Sequence, residues 1–308
     1  MPLHIETPQI ESPFFHKAPG SGIVLKLEAL QPPGSFKIRG IGAACEQYAR
    51  EGKKRFVSSS GGNAGMAAAY AGMHLSLPVT VVVPETTTSR AIELLKHYDA
   101  DVIVHGPSWA EADTYARSLL DDKTAYIHPF DDPLLWSGYA TMIDEVARTG
   151  LRPDNIVLSV GGGGLLCGVI EGIRRNDWSD VAITTVETTG SASLEQSVRA
   201  GERIELAAIE SIASSLGAKK VCEQAFLGAQ SRSVECVSVS DLEAVKACSR
   251  FLIDHRVLVE PACGAALAWV YKDQLPSSKS GTTLVIVCGG ATVTPDQLQT
   301  WEQSLSDH

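Results

Sequence analysis

Short apolar, β-branched runs alternate along this chain with stretches whose apolar positions recur at helical spacing. The runs at 55–58, 79–83, 102–104, 155–160, 182–187 and 283–287 are continuous rather than alternating, which predicts strands buried on both faces. Helical patterns cover 64–75, 88–98, 109–120, 134–149, 164–174, 241–255 and 264–274. Strands of this kind separated by helices build a parallel sheet with helices on both sides, so the expected fold class is α/β. Ligands of such folds sit at the carboxyl ends of the strands, and the segments that follow each run are therefore candidates for chemistry.

No Pro/Gly-rich linker, internal repeat or low-complexity segment divides the chain, and the pattern alone gives one α/β unit. Its 308 residues suffice for a large core or for two domains. No apolar run approaches the ~20 residues that span a bilayer, and Met1-Pro2-Leu3-His4-Ile5-Glu6 has neither a basic nor an apolar leader region. A cytoplasmic protein without membrane contact is expected. The formal charge of −10, spread without blocks of like sign, argues against nucleic acid as a partner, because phosphate backbones demand basic stripes. The seven cysteines (Cys45, Cys167, Cys222, Cys236, Cys248, Cys263, Cys288) contain no C-x-x-C pair, so neither a disulfide framework nor a zinc knuckle is expected.

Five places carry candidate chemistry. The loop Ser58-Ser59-Ser60-Gly61-Gly62-Asn63-Ala64-Gly65 follows a strand and opens an Ala-rich helix. Its small residues let backbone N–H groups approach an anion at a helix N-terminus, giving a carboxylate or phosphate cradle; the alternative is a plain turn capped by Asn63. Gly161-Gly162-Gly163-Gly164 lies between an apolar strand and a helix beginning near Leu165. Successive N–H donors at the positive helix end suit a phosphate, whereas a dinucleotide site lacks its spaced glycines, and a flexible turn is the other alternative. Val285-Ile286-Val287-Cys288-Gly289-Gly290 ends a buried strand in a thiol and two glycines, with Cys288 either a ligand contact or plain core. Glu187 ends another strand, as a ligand or as a solvated acid. In Gly34-Ser35-Phe36-Lys37-Ile38-Arg39-Gly40 a single lysine stands among small residues. Its ammonium becomes a nucleophile or proton carrier only where burial or nearby positive charge lowers its pKa. Arg39 is the candidate source of that charge, and a basic turn is the alternative.

Read with its upstream text, Leu25-Lys26-Leu27-Glu28-Ala29-Leu30-Gln31-Pro32-Pro33-Gly34-Ser35-Phe36-Lys37-Ile38-Arg39-Gly40 resembles the lysine segment of fold-type II pyridoxal-phosphate enzymes, the family of serine and threonine dehydratases, cysteine synthases and serine racemase. The resemblance runs from Thr7 to Thr292 with its motifs in the family's order. It implies two domains, each a mostly parallel twisted sheet flanked by helices: a small domain, 32–135, inserted into a large cofactor-binding domain, 1–31 and 136–308. It further implies that Lys37 bonds covalently to pyridoxal 5'-phosphate and serves as general base. Phe36, Asn63, Gly161, Gly162, Gly163, Gly164, Leu165, Ser215 and Cys288 are the remaining implied cofactor contacts, and Ser60, Gly61, Asn63 and Ala64 the substrate contacts. A monovalent cation, usually potassium, is implied at the Glu187 side chain and the carbonyls of Gly161, Ser191, Leu216 and Ala218. Leu258-Val259-Glu260-Pro261-Ala262-Cys263-Gly264-Ala265-Ala266 resembles the same subgroup without an assigned role.

Cysteine at 288 is similar to serine dehydratases of the animal liver type, and the implied activity is that of an L-serine/L-threonine ammonia-lyase, a homodimer releasing pyruvate or 2-oxobutanoate and ammonia. A racemase would carry serine at the position of Gly61, and a cysteine synthase would read T-S-G-N-T-G in the asparagine loop with serine at 288. A non-catalytic ligand sensor is the reading from another class. Dehydratases commonly carry alanine at 61, so Gly61→Ala is expected to raise turnover where the loop torsions suit it. Only residues 292–308 follow the last glycine loop, too few for the effector domain of biosynthetic threonine deaminases, so a degradative role is expected.

Overall fold

The computed structural model describes residues 1–15, 22–232, 234–272 and 281–306. In chain order its elements are β1 (Gln9–Glu11), β2 (Gly22–Lys26), α1 (Lys37–Arg50), β3 (Arg55–Ser58), α2 (Asn63–Leu75), β4 (Val79–Val83), α3 (Ser89–His97), β5 (Asp101–Val104), α4 (Trp109–Ser118), β6 (Thr124–Tyr126) and α5 (Pro133–Arg148). There follow β7 (Asn155–Ser159), α6 (Gly164–Arg175), β8 (Ala182–Thr188), α7 (Ser193–Ala200), α8 (Glu223–Ser231), β9 (Val234–Val239), α9 (Asp241–His255), α10 (Pro261–Tyr271), β10 (Thr282–Ile286) and α11 (Pro295–Ser306). The chain divides into two compact units, Met1–Ile5 with Gln31–Tyr139, and Glu6–Leu30 with Ala140–His308.

The first unit is built on a parallel sheet in the order β5-β4-β3-β6. Its inner strands are the continuous apolar runs: β4 reads Val-Thr-Val-Val-Val, and β3 buries Phe56, Val57 and Ser58. Alanines and glycines let α2 lie close to this sheet, and nine of its residues are buried. The start of α4 is fixed by a capping box in which Ser108 and Glu111 satisfy each other's backbone N–H. Met1–Ile5, expected with residues 6–31 in the large domain, groups with this unit instead. Gln31 explains it: its side chain accepts from Ile5 N–H at 3.0 Å and donates to the Ile5 carbonyl at 2.9 Å.

The second unit carries a sheet in the order β1-β2-β10-β7-β8-β9, parallel throughout except for β1 against β2. Every residue of β7 is buried, as the unbroken run 155–160 predicts. α10 is apolar around its whole circumference with nine buried residues, and such a helix belongs in a core. It begins three residues before the expected 264, with Pro261 at its first turn where no N–H is needed; residues 273 and 274 of the expected helix lie outside the described residues.

Candidate functional site

In the first unit Lys37 is the first residue of α1, not part of a basic turn. The Phe36 position before it gives no side-chain cap. The Lys37 side chain is half-buried, crosses the Phe36 ring at 5.2 Å, and donates from Nζ to the Pro129 carbonyl at 2.6 Å. Arg39, the expected neighbouring charge, is fully buried and points one nitrogen at the Ile5 carbonyl at 3.5 Å. The reason is helical geometry: residues two apart do not share a face.

The Ser60 loop leaves β3 and enters α2 at Asn63, which is buried and forms the first helical residue rather than the cap. Gly62 occupies the cap position and offers no side-chain acceptor, so the first N–H groups of α2 receive nothing from their own cap. The Ser60 hydroxyl accepts from Gly62 N–H at 3.3 Å and braces the turn, with Ala64 buried behind it. Gly61 has no positive φ, so its torsions do suit alanine. Space does not: a Cβ there would lie 2.8 Å from Thr87 Cγ2 and 3.2 Å from Val83 Cγ1. The expected gain from Gly61→Ala is therefore withdrawn. We expect Gly61→Ala alone to raise KM for the substrate severalfold, and Gly61→Ala with Thr87→Ser, which removes the obstructing methyl, to bring it back. Steady-state kinetics of the two variants checks this, and an unimpaired Gly61→Ala single variant contradicts it.

In the second unit the tetraglycine joins β7 to α6. A Cβ on Gly161 would come within 2.9 Å of the Ser215 carbonyl and of Leu216 Cα, and one on Gly163, at φ +93°, within 2.5 Å of the Ala225 methyl. The loop thus packs closely against Ser215, Leu216 and Ala225, where a side chain would collide, and leads into the first turn of α6 at Gly164, which has no side-chain cap, and the buried Leu165. The structure brings Gly161, Ser215 and Leu216 together. Cys288 stands just past β10, buried. A hydrogen bond with Cys263 and then burial push its thiol well up, so it stays neutral at physiological pH. Nothing in the spacing of residues 263 and 288 shows that pairing beforehand.

Glu187 is fully buried in β8, so it is not a solvated acid. Its two carboxylate oxygens accept the N–H groups of Leu194 at 2.9 Å and Glu195 at 2.7 Å, capping α7 from a distance. Burial, opposed by those N–H groups, pushes its pKa up to about 8. Ser191 follows in the next turn, fully buried, its hydroxyl 2.7 Å from that of Thr188. The Leu216 carbonyl accepts from Ala218 N–H at 2.8 Å. A carboxyl raised in the folded state stabilises most below its ordinary range, and that contribution is lost as pH rises towards and past about 8. The midpoint of thermal unfolding should fall between pH 6 and 9 by roughly 5 °C more in the native sequence than in Glu187→Gln. Equal falls in potassium- and sodium-free buffer contradict this.

Thr87 and the Pro129 carbonyl are site features that pattern reading missed, since each reaches its partner only through the fold. Among the described residues, no group of three or more His, Cys, Asp or Glu side chains is placed to hold a metal ion, and no helix is long and apolar enough to cross a membrane.

Residues 1–289 match the family described as pyridoxal-phosphate dependent enzyme. The chain is 44% identical to a human L-serine dehydratase/L-threonine deaminase, over 99% of this chain and 96% of that protein. It is 41% identical to an L-serine dehydratase of Dictyostelium discoideum, over 99% and 93%. Among solved structures, a fungal L-serine ammonia-lyase from Rhizomucor miehei superposes with a TM-score of 0.92 at 34% identity, covering 98% of this chain and 99% of that one.

Proposed function

The chain belongs to the pyridoxal-phosphate dependent enzyme family, and from that premise we propose that it is an ammonia-lyase acting on L-serine and L-threonine. The residues suit the cofactor. The first turn of α6 at the end of the tetraglycine has no side-chain cap, a neutral thiol stands at Cys288, and an amine is held at Lys37. Gly161, Gly162, Gly163, Gly164 and Leu165 would hold its phosphate with backbone N–H groups, and Phe36, Lys37, Asn63, Ser215 and Cys288 are its other proposed contacts. When bound, the cofactor supplies a carbonyl carbon for an amine and a conjugated ring that withdraws electrons from the substrate Cα.

The remaining work falls to the chain. The Ser60 hydroxyl, with the Gly61, Asn63 and Ala64 backbone, grips the substrate carboxylate at the start of α2, where the helix dipole favours an anion. Lys37 Nζ takes the proton from Cα as general base. Loss of that proton and of the β-hydroxyl eliminates one water and leaves a free enamine, whose hydrolysis takes one water back, so serine gives pyruvate and threonine 2-oxobutanoate, each with one ammonia. A glycine at 61 presents no hydroxyl to return a proton from the opposite face, which favours elimination over racemisation. The observation that carries the reading is the Lys37 amine held at 2.6 Å by a carbonyl just beyond β6, on the same carboxyl edge as the Ser60 loop. A panel of L-serine, L-threonine, 3-hydroxyaspartate and O-acetylserine with keto-acid detection tests it; release from O-acetylserine alone would point to β-replacement chemistry instead.

The reading includes a potassium ion at Glu187 and the carbonyls of Gly161, Ser191, Leu216 and Ala218. Two of those residues, Gly161 and Leu216, already pack together, and a buried carboxyl held against charging by its surroundings gains from a neighbouring cation. It also includes a cytoplasmic homodimer without nucleic-acid partners, in keeping with the charge of −10; light scattering of the purified protein checks the dimer.

A further inference from the structure

Beneath the Ser60 loop the first unit holds a polar cluster that the reaction as described leaves unused. Asp113, on α4, receives hydrogen bonds at one carboxylate oxygen from the Ser59 hydroxyl at 2.7 Å and from the Tyr126 hydroxyl. The two hydroxyls lie 2.8 Å apart. The other oxygen takes Arg117 Nε at 2.8 Å, and the Arg117 guanidinium covers the Tyr126 ring at 4.1 Å. Ser59 is fully buried and immediately precedes Ser60.

The same cluster reaches the lysine from its other side. Tyr126 ends β6, and the chain continues through Ile127 and His128 to Pro129, whose carbonyl holds Lys37 Nζ. Ile127 N–H donates to the Val57 carbonyl at 2.8 Å, keeping the ends of β6 and β3 side by side. His128 Nδ1 accepts from the N–H groups of Phe130 at 3.2 Å and Asp131 at 2.8 Å, which fixes the turn carrying Pro129. One carboxylate therefore ties together the first residue of the Ser60 loop and the strand end that leads to the amine's partner.

Apolar packing at position 113 would fill the same space, but apolar contact has no direction. Hydrogen bonds are directional and orient the atoms they join. We propose that Asp113 is a positioning residue for substrate binding, setting through Ser59 and Tyr126 the orientation in which the Ser60 loop meets the substrate carboxylate. This rests on the reading of that loop as the carboxylate grip.

The test is steady-state kinetics on L-serine with the cofactor-loaded enzyme, for Asp113→Asn, Asp113→Leu, Ser59→Ala and their combination, with Ser60→Ala as the reference for the loop itself. Asp113→Leu should raise KM about tenfold while kcat changes much less, since a misoriented grip weakens binding before it alters proton transfer. Asp113→Asn, which keeps shape and one acceptor, should fall between it and the native enzyme and serves if the leucine variant fails to fold. Combined with Ser59→Ala, Asp113→Leu should add nothing further, because both remove one linkage. A native KM in folded Asp113→Leu or Asp113→Asn beside a raised KM in Ser60→Ala overturns the positioning role alone. A native KM in all of them, Ser60→Ala included, overturns the loop reading and the role with it. Additive losses in the combined variant, or a fall in kcat with KM unchanged, also overturn it.

Discussion

Lys37→Ala should release no measurable ammonia from L-serine, a loss of about 10³-fold or more from the proton transfer alone. It should also fail to retain pyridoxal phosphate after borohydride reduction, a readout independent of turnover. The expectation follows from position as much as from residue type. Lys37 is half-buried at the start of α1, and its amine donates to the Pro129 carbonyl at 2.6 Å, which holds it in place. Lys26, the other lysine of the 25–40 segment, is the contrast. It is fully buried, with Nζ at 2.5 Å from Glu145 and 2.7 Å from the Thr7 carbonyl, a structural ion pair in which the ammonium is already neutralised. Lys37→Arg should be equally inactive, because a guanidinium keeps the charge but not a titratable amine. Ammonia release by purified Lys37→Ala, or cofactor trapped on it by reduction, contradicts the assignment.

Gly65→Ala should lower kcat/KM for L-serine by about 10- to 100-fold while the protein keeps its helical content. Gly65 is the third residue of α2, and a Cβ there would lie 1.8 Å from the Ser60 carbonyl oxygen. Comfortable contact needs about 3.5 Å, so the Ser60 carbonyl must move by well over 1 Å. The obstruction is backbone, and no side-chain rotation relieves it. The substrate grip is thereby displaced relative to the helix that supplies its dipole. Circular dichroism beside the kinetics separates a displaced loop from a lost fold, and native kcat/KM in Gly65→Ala contradicts the described loop.

β2, β9, α7, α8 and α11 were not anticipated, and 102–104, expected as a strand buried on both faces, belongs to the partly exposed edge strand β5. β3, β4, β7, β8 and β10 were legible because buried parallel strands are continuous apolar runs, and 79–83 and 241–255 emerge with those bounds. α1 was not, since two glycines weaken its pattern and no capping side chain marks its start. β1 and β6 are three residues each, too short to show a period. The candidate site was legible where chemistry clusters in sequence, at Lys37, at the Ser60 loop and in the tetraglycine. It was opaque where partners come from far along the chain. Thr87 against Gly61, Cys263 against Cys288, and Asp113 beneath Ser59 are products of topology, and no local pattern announces them. Glu187 shows the same limit from the other side: its place at a strand end was plain, yet only the fold reveals that it caps α7.

The most direct measurement of the central claim is product balance from L-serine with the pyridoxal-phosphate-loaded protein, following pyruvate, ammonia and the enantiomers of residual serine in one sample. Pyruvate and ammonia should rise in equal amounts, with residual serine remaining in the L form. Accumulation of D-serine at a rate rivalling pyruvate, or saturable serine binding with no product at all, would contradict it.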